Sequence, residues 1–221
     1  MNMTRYRKLL AAVFLTTALG LTLWSASAVK LIEDFEGITP MDDWSIRTFG
    51  DSTRYRIVTQ EDNAVMHARA DSAASGYFKK VDLDPQEWPV LSWRWKATQL
   101  PDSGDVRFKE TDDYGARVYV VFPRFLKWKT KTISYIWSRE LEPGSSVPNP
   151  WLPDNVVMIA AQSGETRLGE WIEERQPVYD DYKRIFGEEP PNIGAIAFMT
   201  DSDNTGGQAE AYYDDIKLLK E

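Results

Sequence analysis

The sequence predicts a mainly β protein, an antiparallel two-sheet β-sandwich of the jelly-roll kind. Two observations carry that expectation. Short segments of alternating or β-branched residues recur between turn signals, and only one stretch has helical spacing.

Taken in order, residues 1–28 read as a cleavable signal peptide. Arg5, Arg7 and Lys8 precede an uncharged apolar run from Leu9 to Trp24, and Ala26-Ser27-Ala28 offers small residues where signal peptidase reads. That run is shorter than the roughly 20 residues needed to span a bilayer, so an export signal is expected and a membrane span is not. The expected mature domain is residues 29–221, periplasmic or extracellular. Without cysteine it has no disulfide, and its stability rests on packing or bound ions. Loss of the leader leaves 23 basic against 34 acidic residues, a formal charge of −11. Phosphate polymers are repelled by such a surface, which argues against a nucleic-acid partner. Cations, neutral glycans or a basic protein suit it better, and solubility alone also accounts for the charge.

Ten strands are predicted in the mature chain: Lys30 to Phe35, Tyr55 to Thr59, Ala64 to Ala70, Gly76 to Val81, Val90 to Lys96, Ala116 to Phe122, Thr132 to Ser138, Val156 to Ala161, Ile193 to Met199 and Ala209 to Leu218. Leu91, Trp93 and Trp95 alternate with Ser92, Arg94 and Lys96, which gives that strand one buried face and assigns both tryptophans to the core. In the next clear strand Arg117 and Tyr119 lie opposite Ala116, Val118, Val120 and Phe122, so a polar face meets solvent or a cleft. Arg117 then either pairs with Asp112 or Asp113 on the surface or lines a site for a carboxylate or sugar. The one helix is expected at 178–186, where Val178, Tyr182, Ile185 and Phe186 follow helical spacing, with Gly187 to end it and Pro190-Pro191 to forbid its continuation. Arg175, Asp180 and Asp181 beside it are further polar candidates. The loop from Glu142 to Asp154, with Pro143, Gly144, Pro148, Pro150 and Pro153, is long enough to form a binding rim.

Flat aromatic side chains pack on the C–H faces of pyranose rings while polar groups bind the hydroxyls. Trp128 and Trp151, in loop-like surroundings, are the exposed candidates for that role, with Arg117, Tyr119 and Asp203 as polar contacts. Asp201-Ser202-Asp203-Asn204-Thr205-Gly206 places oxygen side chains as calcium loops do, but Tyr212 stands where the closing glutamate belongs, so a partial ion site and a tight turn remain open. Catalytic residues are scarce. The single histidine, His67, excludes a multi-histidine zinc site, and no serine-elbow motif occurs. Hydrolysis or elimination on a glycan would have to use acids, with Asp112, Asp113, Arg117 and Asp201 as the candidates. An envelope scaffold binding another protein through its edge strands is a third reading.

The segments LIEDFEG (Leu31 to Gly37) and AYYDDIKL (Ala211 to Leu218) resemble the terminal strands of galactose-binding-like jelly rolls, including many carbohydrate-binding modules. That resemblance implies a structural calcium held by Glu36 and Asp214, with Asp215 as neighbour, joining the first and last strands. SAASGYFKKV, LSWRWKA, TDDYGARVYVVF, ERQPVYDDYKRIFGEEPPNIGAIAFMTDSDNTGG and the closing AYYDDIKL, in this order, resemble the bacterial family catalogued as domain of unknown function 3047. The resemblance implies one secreted domain and assigns no catalytic residue.

Overall fold

The computed structural model describes residues 28–220. The signal peptide expected at 1–28 therefore falls, apart from Ala28, outside the described residues. Among those described, no helix is long and apolar enough to cross a membrane.

Thirteen strands and one helix run in the order β1 (Val29–Glu33), β2 (Trp44–Thr48), β3 (Arg54–Gln60), β4 (Asn63–Asp71), β5 (Ala74–Leu83), β6 (Val90–Gln99), β7 (Tyr114–Phe122), β8 (Lys131–Ser138), β9 (Ser146–Pro148), β10 (Val156–Ser163), β11 (Ile172–Gln176), α1 (Val178–Phe186), β12 (Ile193–Asp201) and β13 (Gln208–Leu219). They form two sheets. Sheet A has the order β11-β6-β13-β4-β3, with β1 also paired to β13, and sheet B the order β2-β5-β12-β7-β8-β10-β9. All ten predicted strands are present. The pairing departs from the all-antiparallel expectation at one place, because β10 runs parallel to β8. The short antiparallel β9 then closes that edge of sheet B on the far side of β10.

The sheets pack face to face through side chains that alternate inward. Trp93 and Trp95 of β6 have no solvent exposure and meet Tyr135 and Trp137 of β8, with ring centroids 5.5 and 5.9 Å apart. At the other end of the core Phe198 of β12 meets Tyr213 of β13 at 5.0 Å. Helix α1 covers the open end between the layers. Its Tyr182 ring packs on Phe122 at 4.5 Å, Tyr135 donates to Asp181 at 2.9 Å, and Gly187 ends the helix in the left-handed conformation at φ 69°.

Three strands escape the alternation rule. In β2 only Trp44 is buried, and β9 is three residues ending in proline. In β11 the inward residues are Ile172 and Glu174, and the glutamate is kept inside by donors from Trp95 Nε1 at 3.2 Å and Gln162 Nε2 at 2.8 Å. A polar residue facing inward gives no apolar signal to read.

Candidate functional site

The outward face of sheet B is built from two neighbouring rows of cross-strand partners. One row is Arg47, Gly76, Met199, Arg117, Ile136 and Ala160, from β2 to β10. The other is Ser45, Phe78, Ala197, Tyr119, Ser134 and Met158. Directly opposed residues share a sheet face, so side chains far apart in the chain become neighbours. The rings of Phe78 and Tyr119, 6.2 Å apart and nearly parallel, roof the small Ala197 between them. The segment before β7 covers the β8 and β10 side of this face, with Val106 packed among Tyr114, Ile136, Met158 and Ala160. The strip over β5, β12 and β7 is left open, with Phe78 and Tyr119 half-buried along it.

Arg117 sits at the centre. Its expected surface partners were Asp112 or Asp113, but the ion pair is with Asp201, 2.7 Å across the β7–β12 ladder, and Arg117 is only 8% exposed. The correction follows from register. The two strands place Arg117 opposite Met199, one step from Asp201, whereas Asp112 and Asp113 precede β7 on the same chain segment. The guanidinium lies over the rings of Tyr114 at 4.2 Å and Tyr119 at 5.2 Å. Burial opposes its charge, and Asp201 together with Tyr119, Tyr114 and Asp112 outweighs that effect, holding it cationic.

Five buried side-chain polar atoms lack a hydrogen-bond partner among the described residues: Trp93 Nε1, Arg117 Nε, Ser134 Oγ, Asp201 Oδ1 and Ser202 Oγ. Arg117, Ser134 and Asp201 belong to the outward face of sheet B, and Ser202 follows directly on it. Buried polar groups are nearly always paired, so this concentration marks the face.

The acids at the start of β7 are held apart from solvent. Asp112 is buried, and its carboxyl accepts from the Tyr114 hydroxyl and from Asn149 Nδ2 at 3.3 Å. Burial pushes it up to about 6 against the pull of Arg117. Asp113 accepts the amides of Asn204 and Thr205 at 3.1 and 2.7 Å and the Thr205 hydroxyl at 2.6 Å, so the Asp201–Gly206 turn wraps around its carboxylate. At Asp201 burial pushes the carboxyl up, Arg117 pulls it down, and Asp113, Asp112 and Asp203 push it up again.

The remaining candidates lie elsewhere. Trp128 is 71% and Trp151 53% exposed; Lys109 lies over the Trp151 ring at 5.1 Å, and neither tryptophan packs on another aromatic ring among the described residues. At the chain ends Glu36 is exposed and accepts the amide of Ala64, while buried Asp214 accepts from Asn63 at 2.8 Å and Arg94 at 3.3 Å. The β3–β4 turn thus stands between Glu36 and Asp214, and Asp215 adopts a positive φ of 51° at the bulge beside them. Arg175 and Asp180 are exposed, and His67 is bound to Glu210 at 2.7 Å and stacked on Tyr212. Sequence reasoning passed over Phe78 and Ser134. Each reads as an ordinary strand residue until register brings it beside Tyr119.

Two facing sheets, one helix at an open end and a polar, aromatic strip on an outer face define a jelly-roll β-sandwich with the fold of carbohydrate-binding modules. The family model described as protein of unknown function (DUF3047) matches residues 42–217, and the chain belongs to that family. Among solved structures, the family 11 carbohydrate-binding module of the cellulosomal cellulase Lic26A-Cel5E of Clostridium thermocellum is 16% identical, with 89% of this chain and 97% of that one covered and a TM-score of 0.50. The family 30 module of the cellulosomal cellulase Cel9D-Cel44B of the same organism is 11% identical over 80% of this chain and 86% of its own, with a TM-score of 0.44. No curated protein matches the chain.

Proposed function

We propose that the protein is an exported binding module that takes a glycan, or a similar polyhydroxylated ligand, on the open strip of sheet B. The observation that carries this reading is the pair of half-buried, nearly parallel rings of Phe78 and Tyr119 on the uncovered part of sheet B, with the Arg117 guanidinium lying over Tyr119. Flat rings suit pyranose C–H faces, and sugar hydroxyls, which both donate and accept, suit the polar groups that border them. The family 11 module's name and fold likeness support the class. Trp128 and Trp151 are rim contacts in this reading, and Asp203 bounds one end of the strip.

The test is calorimetric titration with a panel of soluble glycans. A bound glycan should lose about fivefold in affinity on Tyr119→Ala or Phe78→Ala, with the unfolding midpoint little changed, since aromatic stacking contributes about 1 kcal/mol. Unaltered affinity in both variants would move the site elsewhere, and Trp128→Ala and Trp151→Ala would then locate it. A hydrolase or lyase using Asp112, Asp113, Arg117 and Asp201 has in its favour that these side chains form one cluster. Against it, donors within the protein occupy Asp112 and Asp113. Release of shortened sugars from the same panel would replace the binding reading. Calcium at Glu36, Asp214 and Asp215 belongs to this proposal as a fold staple, with a loss of thermal stability on chelation that is smaller in Glu36→Gln than in the wild type as its sign.

A further inference from the structure

Asp113 lies just before β7, Asp201 ends β12, and Asp203 follows in the turn to β13. One carboxylate oxygen from each lies within 4.8 Å of the other two. Oxygens bound to one calcium ion at 2.3–2.6 Å are separated by no more than about 5 Å, so the three can share an ion without rearrangement. Proximity of acids alone is common, and the second observation decides the matter. The Asp201 side chain is 3% exposed, its Oδ2 is engaged by Arg117, and its Oδ1 has no partner. A buried carboxyl oxygen without a partner is costly, and Arg117 serves only the other oxygen of Asp201.

Counting acceptor sites strengthens the case. A carboxylate offers about four. Asp113 uses three of its own for the turn, so it is anchored but retains capacity, while Asp201 gives one oxygen to Arg117. Asp203 is exposed and opens the cluster to solvent, which supplies an entry path and water for the remaining positions.

We infer that Asp113, Asp201 and Asp203 bind a divalent cation, calcium by the hardness and flexible spacing of their oxygens, which ties the start of β7 to the β12–β13 turn. This site is separate from the chain-end acids and does not depend on glycan binding. Through Asp201 the ion would stand one residue from Arg117 and fix the polar end of the open strip.

The full chain, stripped with chelator, is titrated with calcium alone by calorimetry and by thermal unfolding. Binding to the native state raises the midpoint by mass action. The expected result is calcium binding that falls at least about tenfold in Asp203→Asn, since affinity follows ligand charge count, and that persists in Glu36→Gln. Asp203 is exposed, so this variant folds irrespective of the ion. Absence of heat and of any midpoint shift at millimolar calcium overturns the inference. So does binding that is unchanged in Asp203→Asn, or binding that vanishes in Glu36→Gln and survives in Asp203→Asn, which assigns the ion to the chain ends. A response to magnesium but not calcium overturns the choice of ion.

Discussion

Glu174 and Asp201 are both acids on strands, both buried, and their surroundings treat them differently. Glu174 is surrounded by donors: Trp95 and Gln162 serve one oxygen and Gln176 the other. Burial still pushes its carboxyl above the ordinary range, with those donors pulling back. A folded-state value above the unfolded one means that, between the two, the native protein holds a proton the unfolded chain has lost. Stability therefore falls as pH rises through that window, from about pH 4.3 upward. Glu174→Gln keeps an acceptor for Trp95 and removes the charge. Urea unfolding across a pH series should show the wild type losing stability relative to this variant as pH increases, and parallel curves would show that the carboxyl is not raised. Asp201 has Arg117 in place of such a set of donors, and one of its oxygens remains unserved.

Gly76 of β5 faces Met199 of β12. A Cβ at Gly76 would stand 2.9 Å from the Phe198 carbonyl oxygen and 3.0 Å from the Met199 Cβ, and neither is the free end of a flexible chain. Gly76→Ala should cost about 1–3 kcal/mol through overpacking, read as a lower urea midpoint with the slope unchanged. A variant as stable as the wild type would mean that the two strands separate without cost. Gly76 also shows what could and could not be read in advance. It was placed in a strand, because its neighbours alternate, but its contact with Met199 depends on register between segments more than a hundred residues apart. Strands with apolar alternation were legible for that reason, and α1 was legible from its spacing and from Gly187. β2, β9 and β11 were not, since burial in them falls on one tryptophan, on a three-residue edge and on a glutamate. In the site, the outward placement of Arg117 and Tyr119 could be read from alternation, whereas the Asp201 partnership, Phe78 and Ser134 follow from pairing order alone.

In the whole molecule the most connected element is β13. It lies between β6 and β4 in sheet A and also pairs with β1. Its inward residues Ala211, Tyr213, Ile216 and Leu218 are all fully buried in the main core. Ending the chain at Gly207 should therefore abolish cooperative unfolding altogether and leave circular dichroism without the native β signal; a truncated chain that still melts in one sharp transition would show that sheet B folds by itself. Pairings of such long sequence separation also place folding on the millisecond-to-second scale. The position of β13 has a consequence during synthesis. At roughly 5–20 residues per second, β4 and β6 emerge several seconds before the strand that joins them exists, with the edges they share with it unpaired. Sheet A therefore cannot close before Leu219 has been made, and until then β4 and β6 are held apart only by chain whose own partners lie in other strands.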